Sequence, residues 1–167
     1  MNSFYETNAK RPPRFRPPLI GCVARDRQLA IALGGCYTDS FLTIGAQIWR
    51  SLSCESEDRR LSDLFDRMAT EALEQFRTLG ELIAALGGDG MVRLGKCGTR
   101  GGSTRERNGA EMIAAAIGEK RCCVDRYETL MSRTGDRVVR SVLSRLIFAE
   151  RKMISELEGF ACEKTCE

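Results

Sequence analysis

Histidine is absent from all 167 residues. That absence excludes imidazole as a metal ligand, as a catalytic acid or base and as a pH switch, so any chemistry must use other groups. Proline is nearly absent as well: all four (Pro12, Pro13, Pro17 and Pro18) lie before residue 19, and nothing downstream breaks a helix in their manner. No sign of charge dominates. The net charge is +3 with the signs interspersed, whereas a nucleic-acid binder shows a basic patch or stripe, so nucleic acid is not an expected partner. No uninterrupted apolar run reaches the ~20 residues that span a bilayer, and the first residues carry charges and prolines where a secretory signal has an apolar core. The expectation is a cytoplasmic protein with no membrane partner.

Cysteine is plentiful but unpatterned. Cys22, Cys36, Cys54, Cys97, Cys122, Cys123, Cys162 and Cys166 form no CxxC pair, and without an export signal they read as reduced thiols packed as small hydrophobes. With 43% hydrophobic and 29% charged residues, the chain can bury one good core and is short for two. A single domain is expected.

Residues 1–24 hold every proline together with Lys10, Arg11, Arg14 and Arg16, and read as an extended or disordered basic arm. A short helical segment is expected at Arg25 to Leu33, stopped by Gly34-Gly35. From Asp39 to Leu52 the residues Phe41, Ile44, Ile48, Trp49 and Leu52 recur at spacings of three and four, with Thr38 or Asp39 as cap, predicting a first long helix. Ser56 can cap a second, whose inward stripe runs through Leu61, Leu64, Phe65, Met68, Ala72, Leu73, Phe76, Leu79, Ile83 and Leu86 to a stop at Gly87-Gly88. At 1.5 Å per residue that helix is about 45 Å long, a bundle length.

Between Asp89 and Asn108 lie Gly90, Gly95, Gly98, Gly101 and Gly102, the composition of a long connection. Lys96 and Ser103-Thr104 suggest a phosphate loop, but neither GxxxxGK[ST] nor GxGxxG is present. A third helix is predicted from Gly109 to Arg133 with Ile113, Ile117, Val124, Tyr127 and Met131 on one face. Asp136 caps a fourth, with Val139, Val142, Leu143, Leu146, Ile147, Met153, Ile154 and Leu157 inward as far as Gly159. The short turn between these two makes them antiparallel neighbours. Residues 25–160 thus form a four-helix unit, and 161–167 a short tail with no assignment.

Four strings carry a resemblance. Leu79-Gly80-Glu81-Leu82-Ile83 followed by Leu86-Gly87-Gly88-Asp89 resembles the end of the second helix in rubrerythrin-like, bacterioferritin-like and manganese-catalase-like members of the ferritin-like superfamily. Asp39-Ser40-Phe41-Leu42-Thr43 resembles the opening of their first helix, the Val124 to Tyr127 spacing their third, and Arg145-Leu146-Ile147 before Glu150 their fourth. The resemblance implies an all-α, ferritin-like four-helix bundle with a long crossover between the second and third helices.

In such bundles two iron or manganese ions are held by one glutamate from each of two helices and a Glu-x-x-His pair from each of the others, since four carboxylates must offset the charge of two divalent cations in a dry interior. The resemblance places these six ligands on Phe41, Ala72, Gln75, Lys120, Glu150 and Met153. Of the six expected ligands only Glu150 stands. Lys120 also falls on the inward stripe of the third helix and Glu150 on that of the fourth, so a buried cluster of Lys120, Glu150 and Gln75 is expected in place of metal, with Phe41, Ala72 and Met153 filling space. Lys120 could instead snorkel its amine to solvent.

The expected function is a non-catalytic structural or protein-interaction module, with no catalytic residue and no cofactor, and with self-association or a protein partner. One alternative is a metal-binding protein with iron-oxidation, iron-storage or peroxide-detoxifying activity, in which iron or manganese is bound. Another is thiol and thioether chemistry with a soft metal such as copper(I), built on Cys123 beside Lys120 and on Met153.

Overall fold

Asp26 opens the first helix, its carboxylate accepting the Leu29 amide at 2.9 Å. In the computed structural model, which describes residues 23–89 and 108–165, this helix, α1 (Arg27–Cys54), continues through Gly34-Gly35 without a stop. A glycine in a helix interior costs about 1 kcal/mol relative to alanine. Burying Leu29, Leu33 and Cys36 in one cluster on either side of the pair returns about 1.5–3 kcal/mol per large side chain, so the glycines are outweighed. The expected separate segment at Arg25 to Leu33 and the first long helix are one element, and Asp39 lies in its middle rather than at its cap.

α1 differs from expectation in a second way. Phe41, Ile48, Trp49 and Leu52 point outward, Trp49 with 67% of its surface exposed, while Ser40, Gln47, Arg50 and Ser51 are buried. The inward seam is Leu29, Leu33, Cys36, Ser40, Thr43, Gln47, Arg50 and Cys54, alternating steps of four and three, the spacing by which a helix keeps one side against a partner. Because it is unbroken, α1 is also long and apolar enough by length and composition to cross a membrane, with a third of the relevant window buried against the other helices.

α2 (Arg59–Ala85) is capped by Asp58, whose carboxylate takes the Leu61 amide at 3.0 Å, rather than by Ser56. Its stripe is buried as expected except that Leu73 is exposed and Phe76 half-buried. Phe76 stacks on Tyr37 of α1 with centroids 4.1 Å apart. The helix stops where Gly87 turns left-handed, φ +80°, and the Gly88 amide returns to the Ile83 carbonyl at 2.9 Å. A Cβ on Gly88 would sit 2.7 Å from the Ala30 side chain, so glycine here permits the start of α1 to close on the end of α2, where the Asp26 amide bonds the Leu86 carbonyl.

α3 (Gly109–Ser132) is capped by Asn108, and α4 (Arg137–Thr165) by Asp136, which accepts from the Val138 and Val139 amides. α4 passes Gly159 and takes in most of the expected tail. The basic arm through residue 22, the glycine-rich connection at 90–107 with its rejected phosphate loop, and residues 166–167 lie outside the described residues.

Among the described residues the protein is all-α, with four long helices and no strand. α1 packs mainly on α2, and α3 mainly on α4. Arg50 to Glu119 and Asp39 to Arg126 set α3 antiparallel to α1, and Arg67 to Glu156 and Arg60 to Glu163 set α4 antiparallel to α2. α2 and α3 therefore run the same way, and the chain leaves α2 at one end of the unit and enters α3 at the other. Two apolar clusters fill the interior. One gathers Leu33, Leu82, Tyr127 and Leu143 with their neighbours, the other Leu61, Phe65, Ile113 and Leu157 with theirs. A polar layer separates them.

Candidate functional site

That layer draws on all four helices. α1 supplies Ser40 and Thr43, α2 Ala72 and Gln75, α3 Glu119, Lys120 and Cys123, and α4 Glu150, together lining a cavity of about 10 Å³, near the size one water molecule needs. Each residue arrives there by helical spacing. Ala72 and Gln75 continue the stripe of Met68 and Leu79, Lys120 lies between Ala116 and Val124, and Glu150 between Leu146 and Met153.

Lys120 and Glu150 meet at the centre. The amine donates to Glu150 Oε2 at 2.8 Å, and each side chain is 3% exposed, so the amine does not snorkel. A charge removed from water costs several kcal/mol unless it is paired, and here each ion is the other's partner. Gln75 lines the same cavity, and its Nε2 has no hydrogen-bond partner among the described residues.

Phe41 stands apart from this cluster. It is 46% exposed and lies against Phe76 at 5.9 Å between centroids. Its neighbour Ser40 takes the inward place, because one residue along a helix turns the side chain by about 100°. Ser40 donates to the Cys36 carbonyl at 3.0 Å and lies beside the Tyr127 hydroxyl, whose pKa it lowers against the larger effect of burial. Ala72 is buried at the cavity as expected. Met153 is buried too, but in the apolar cluster below the layer.

A second ion pair extends the layer. Arg50, only 2% exposed, reaches Glu119 through both terminal nitrogens at 2.8 and 2.6 Å, the bidentate geometry that makes guanidinium–carboxylate contacts strong. Gln47, one turn earlier, is wholly buried, and both its amide atoms lack partners among the described residues. Ser51 and Ser62 bond each other at 3.0 Å. None of these stood out in the sequence, yet Gln47 and Arg50 fall on the seam that Cys36 and Cys54 mark.

The donor set does not fit a pair of divalent metals. Both carboxylates at the cavity already answer a cation, Glu119 that of Arg50 and Glu150 that of Lys120, and among the described residues no three His, Cys, Asp or Glu side chains converge as a metal group. Nor is the thiol activated. Burial pushes Cys123 from its ordinary 9.0 up to about 12, outweighing the opposing pull of Lys120, and burial likewise raises Cys36 to about 11. Tyr127 is held well above its usual value, again chiefly by burial. At neutral pH these groups are protonated and poor nucleophiles. Glu71, half-buried near Lys152 and Lys120, also has its pKa raised by burial. No known protein family matches the sequence, and no curated protein matches it either.

Proposed function

We propose that this chain is a ferritin-like bundle in which an ion pair has replaced the two-metal centre, and that it works as a non-catalytic structural or interaction module of the cytoplasm, binding no metal cofactor. The observation that carries the reading is the Lys120–Glu150 contact, 2.8 Å long and buried at the level where all four helices turn polar groups inward. One charge of each sign is locally neutral, and a cation entering beside the lysine would meet repulsion. The parallel course of α2 and α3 supports the family reading, because it requires a connection crossing the length of the bundle, the topology of ferritin-like folds. About 36 Å of helix has to be crossed at 1.5 Å per residue. The eighteen residues 90–107 reach at most about 60 Å when extended, so the connection is long enough.

Elemental analysis tests the proposal. Protein purified under reducing conditions, from cells grown with iron, manganese and copper, is expected to carry each metal well below one equivalent per chain. About two equivalents of iron or manganese would overturn it in favour of iron oxidation, iron storage or peroxide disposal. Stoichiometric copper would overturn it in favour of thiol and thioether ligation.

A further inference from the structure

α1 turns six large apolar side chains outward: Ile31, Phe41, Leu42, Ile48, Trp49 and Leu52. At 100° per residue Ile31, Leu42 and Trp49 fall in one row, with Phe41, Ile48 and Leu52 in the next. The face is also uncharged. From Gln28 to Trp49 the only charged residue is Asp39, and it is turned towards Arg126 on α3. Gly34, Gly35 and Gly45 share the face, and a Cβ on any of them would meet nothing within 4 Å. No contact among the described residues explains three glycines in the body of a helix. On α2 the surface continues through Phe76, which touches Phe41, to exposed Leu73 one turn away.

The six side chains leave on the order of 700 Å² uncovered, beyond the ~300–600 Å² of the largest patch on an ordinary monomer. A standard interface takes about 800 Å² from each partner. The geometry points to a second copy of this chain as the occupant, two α1 faces packing on each other across a twofold axis, with the glycines letting the backbones approach. This names a partner for the interaction role proposed above and rests on that reading. In an isologous contact a charge near the axis faces its own twin, and the uncharged stretch meets that condition. Other occupants fit less well. A helix built to lie on lipid carries Lys and Arg on its polar side, and α1 has none between Arg27 and Arg50. The chain's own residues 1–22 bring Lys10, Arg11, Arg14, Arg16 and four prolines to a helix whose one carboxylate between Gln28 and Trp49, Asp39, is already paired with Arg126.

Light scattering and sedimentation of the full chain, between roughly 1 and 100 µM, test the inference. The expected species at the upper end has twice the 18.6 kDa chain mass, and emission from Trp49, the sole tryptophan, shifts to the red on dilution. Trp49→Lys, introduced twice in a symmetric dimer, is expected to weaken association by about 100-fold or more. Phe148→Lys, on exposed α4 surface, leaves it unchanged. A monomer at the highest concentration overturns the inference, whether Trp49 is then found in water, under the chain's own arm or on anionic vesicles. So does a dimer that survives both Trp49→Lys and Leu52→Lys. Should the lysine variants fail to fold, the dilution series on the unaltered protein still decides. Metal content read on the same samples keeps the two proposals separate, because a metal-free monomer overturns only this one and a metal-loaded dimer only the other.

Discussion

Replacing Lys120 by methionine leaves the Glu150 carboxylate 3% exposed and without its amine, and Glu150→Leu does the reverse. Breaking a buried pair by removing one partner costs about 3–5 kcal/mol, because the remaining charge must stay unsolvated or neutralise. Removing both ions together, with leucine and methionine filling similar volume, is expected to cost less than about 2 kcal/mol, since no charge is then left behind. The pair should therefore couple by at least about 4 kcal/mol. Urea unfolding followed by circular dichroism measures it, with single and double variants compared at constant slope. A pH series adds a signature that packing alone would not give. In Lys120→Met the remaining carboxylate is buried without its cation, and protonation relieves that cost, so the destabilisation shrinks as pH falls from 7 towards 5. Single losses that add to the double within about 0.5 kcal/mol would refute the argument that the two charges depend on each other.

The buried thiols predict alkaline sensitivity. Cys36 and Cys123 keep their protons in the fold up to about pH 11 and 12, while the unfolded chain ionises near 9.0. The unfolded state therefore binds fewer protons between those values, and stability is expected to fall by up to about 1.4 kcal/mol per pH unit per thiol from pH 9 to 11. Denaturant titration of the reduced protein against its Cys36→Ala variant checks this, and an equal pH slope in both would mean that Cys36 is not shielded. Gly88→Ala is expected to cost about 1–3 kcal/mol by overpacking, since its Cβ would press on Ala30 and Ile83. Gly159→Ala, with nothing near its Cβ, is expected to gain about 0.5–1 kcal/mol. Thermal unfolding separates the two, and the same sign for both would sink the close approach at Gly88.

How legible each helix was in the sequence follows from how many faces it buries. α2 and α4 have one apolar side and one charged side, so periodicity located Leu61, Phe65, Leu79, Val142 and Leu146 in the core. The inward place of Glu150 follows from the stripe of α4, and that of Lys120 from the stripe of α3. α1 was misread because hydrophobicity alone selects its strongest residues, Phe41, Ile48, Trp49 and Leu52, and these are the ones left outside. The true seam carries Ser40, Gln47 and Arg50, whose burial depends on partners from other helices and has no local signature. Arg50 is satisfied by Glu119, sixty-nine residues away, and no pattern within α1 announces such a pairing. Only the alternation of fours and threes through Leu29, Leu33, Cys36 and Cys54 could have placed it.

The two faces of α1 belong to one argument. Rotating the helix to bury Phe41 and Trp49 would cost the chain more than it gained. Arg50 would lose Glu119, Ser40 would leave Tyr127, and Leu29, Leu33 and Cys36 would move from the upper core to water. At about 1.5–3 kcal/mol per large side chain buried, the apolar exchange roughly cancels, and the buried polar contacts decide the orientation. A helix apolar on both sides belongs inside a structure rather than on its surface. With one side committed to the polar layer and the cores flanking it, the other is left exposed, and this is the face proposed above to pack on a second copy. The buried pairing of Arg50 with Glu119 thus fixes which way α1 faces, and with it the apolar surface that α1 leaves exposed.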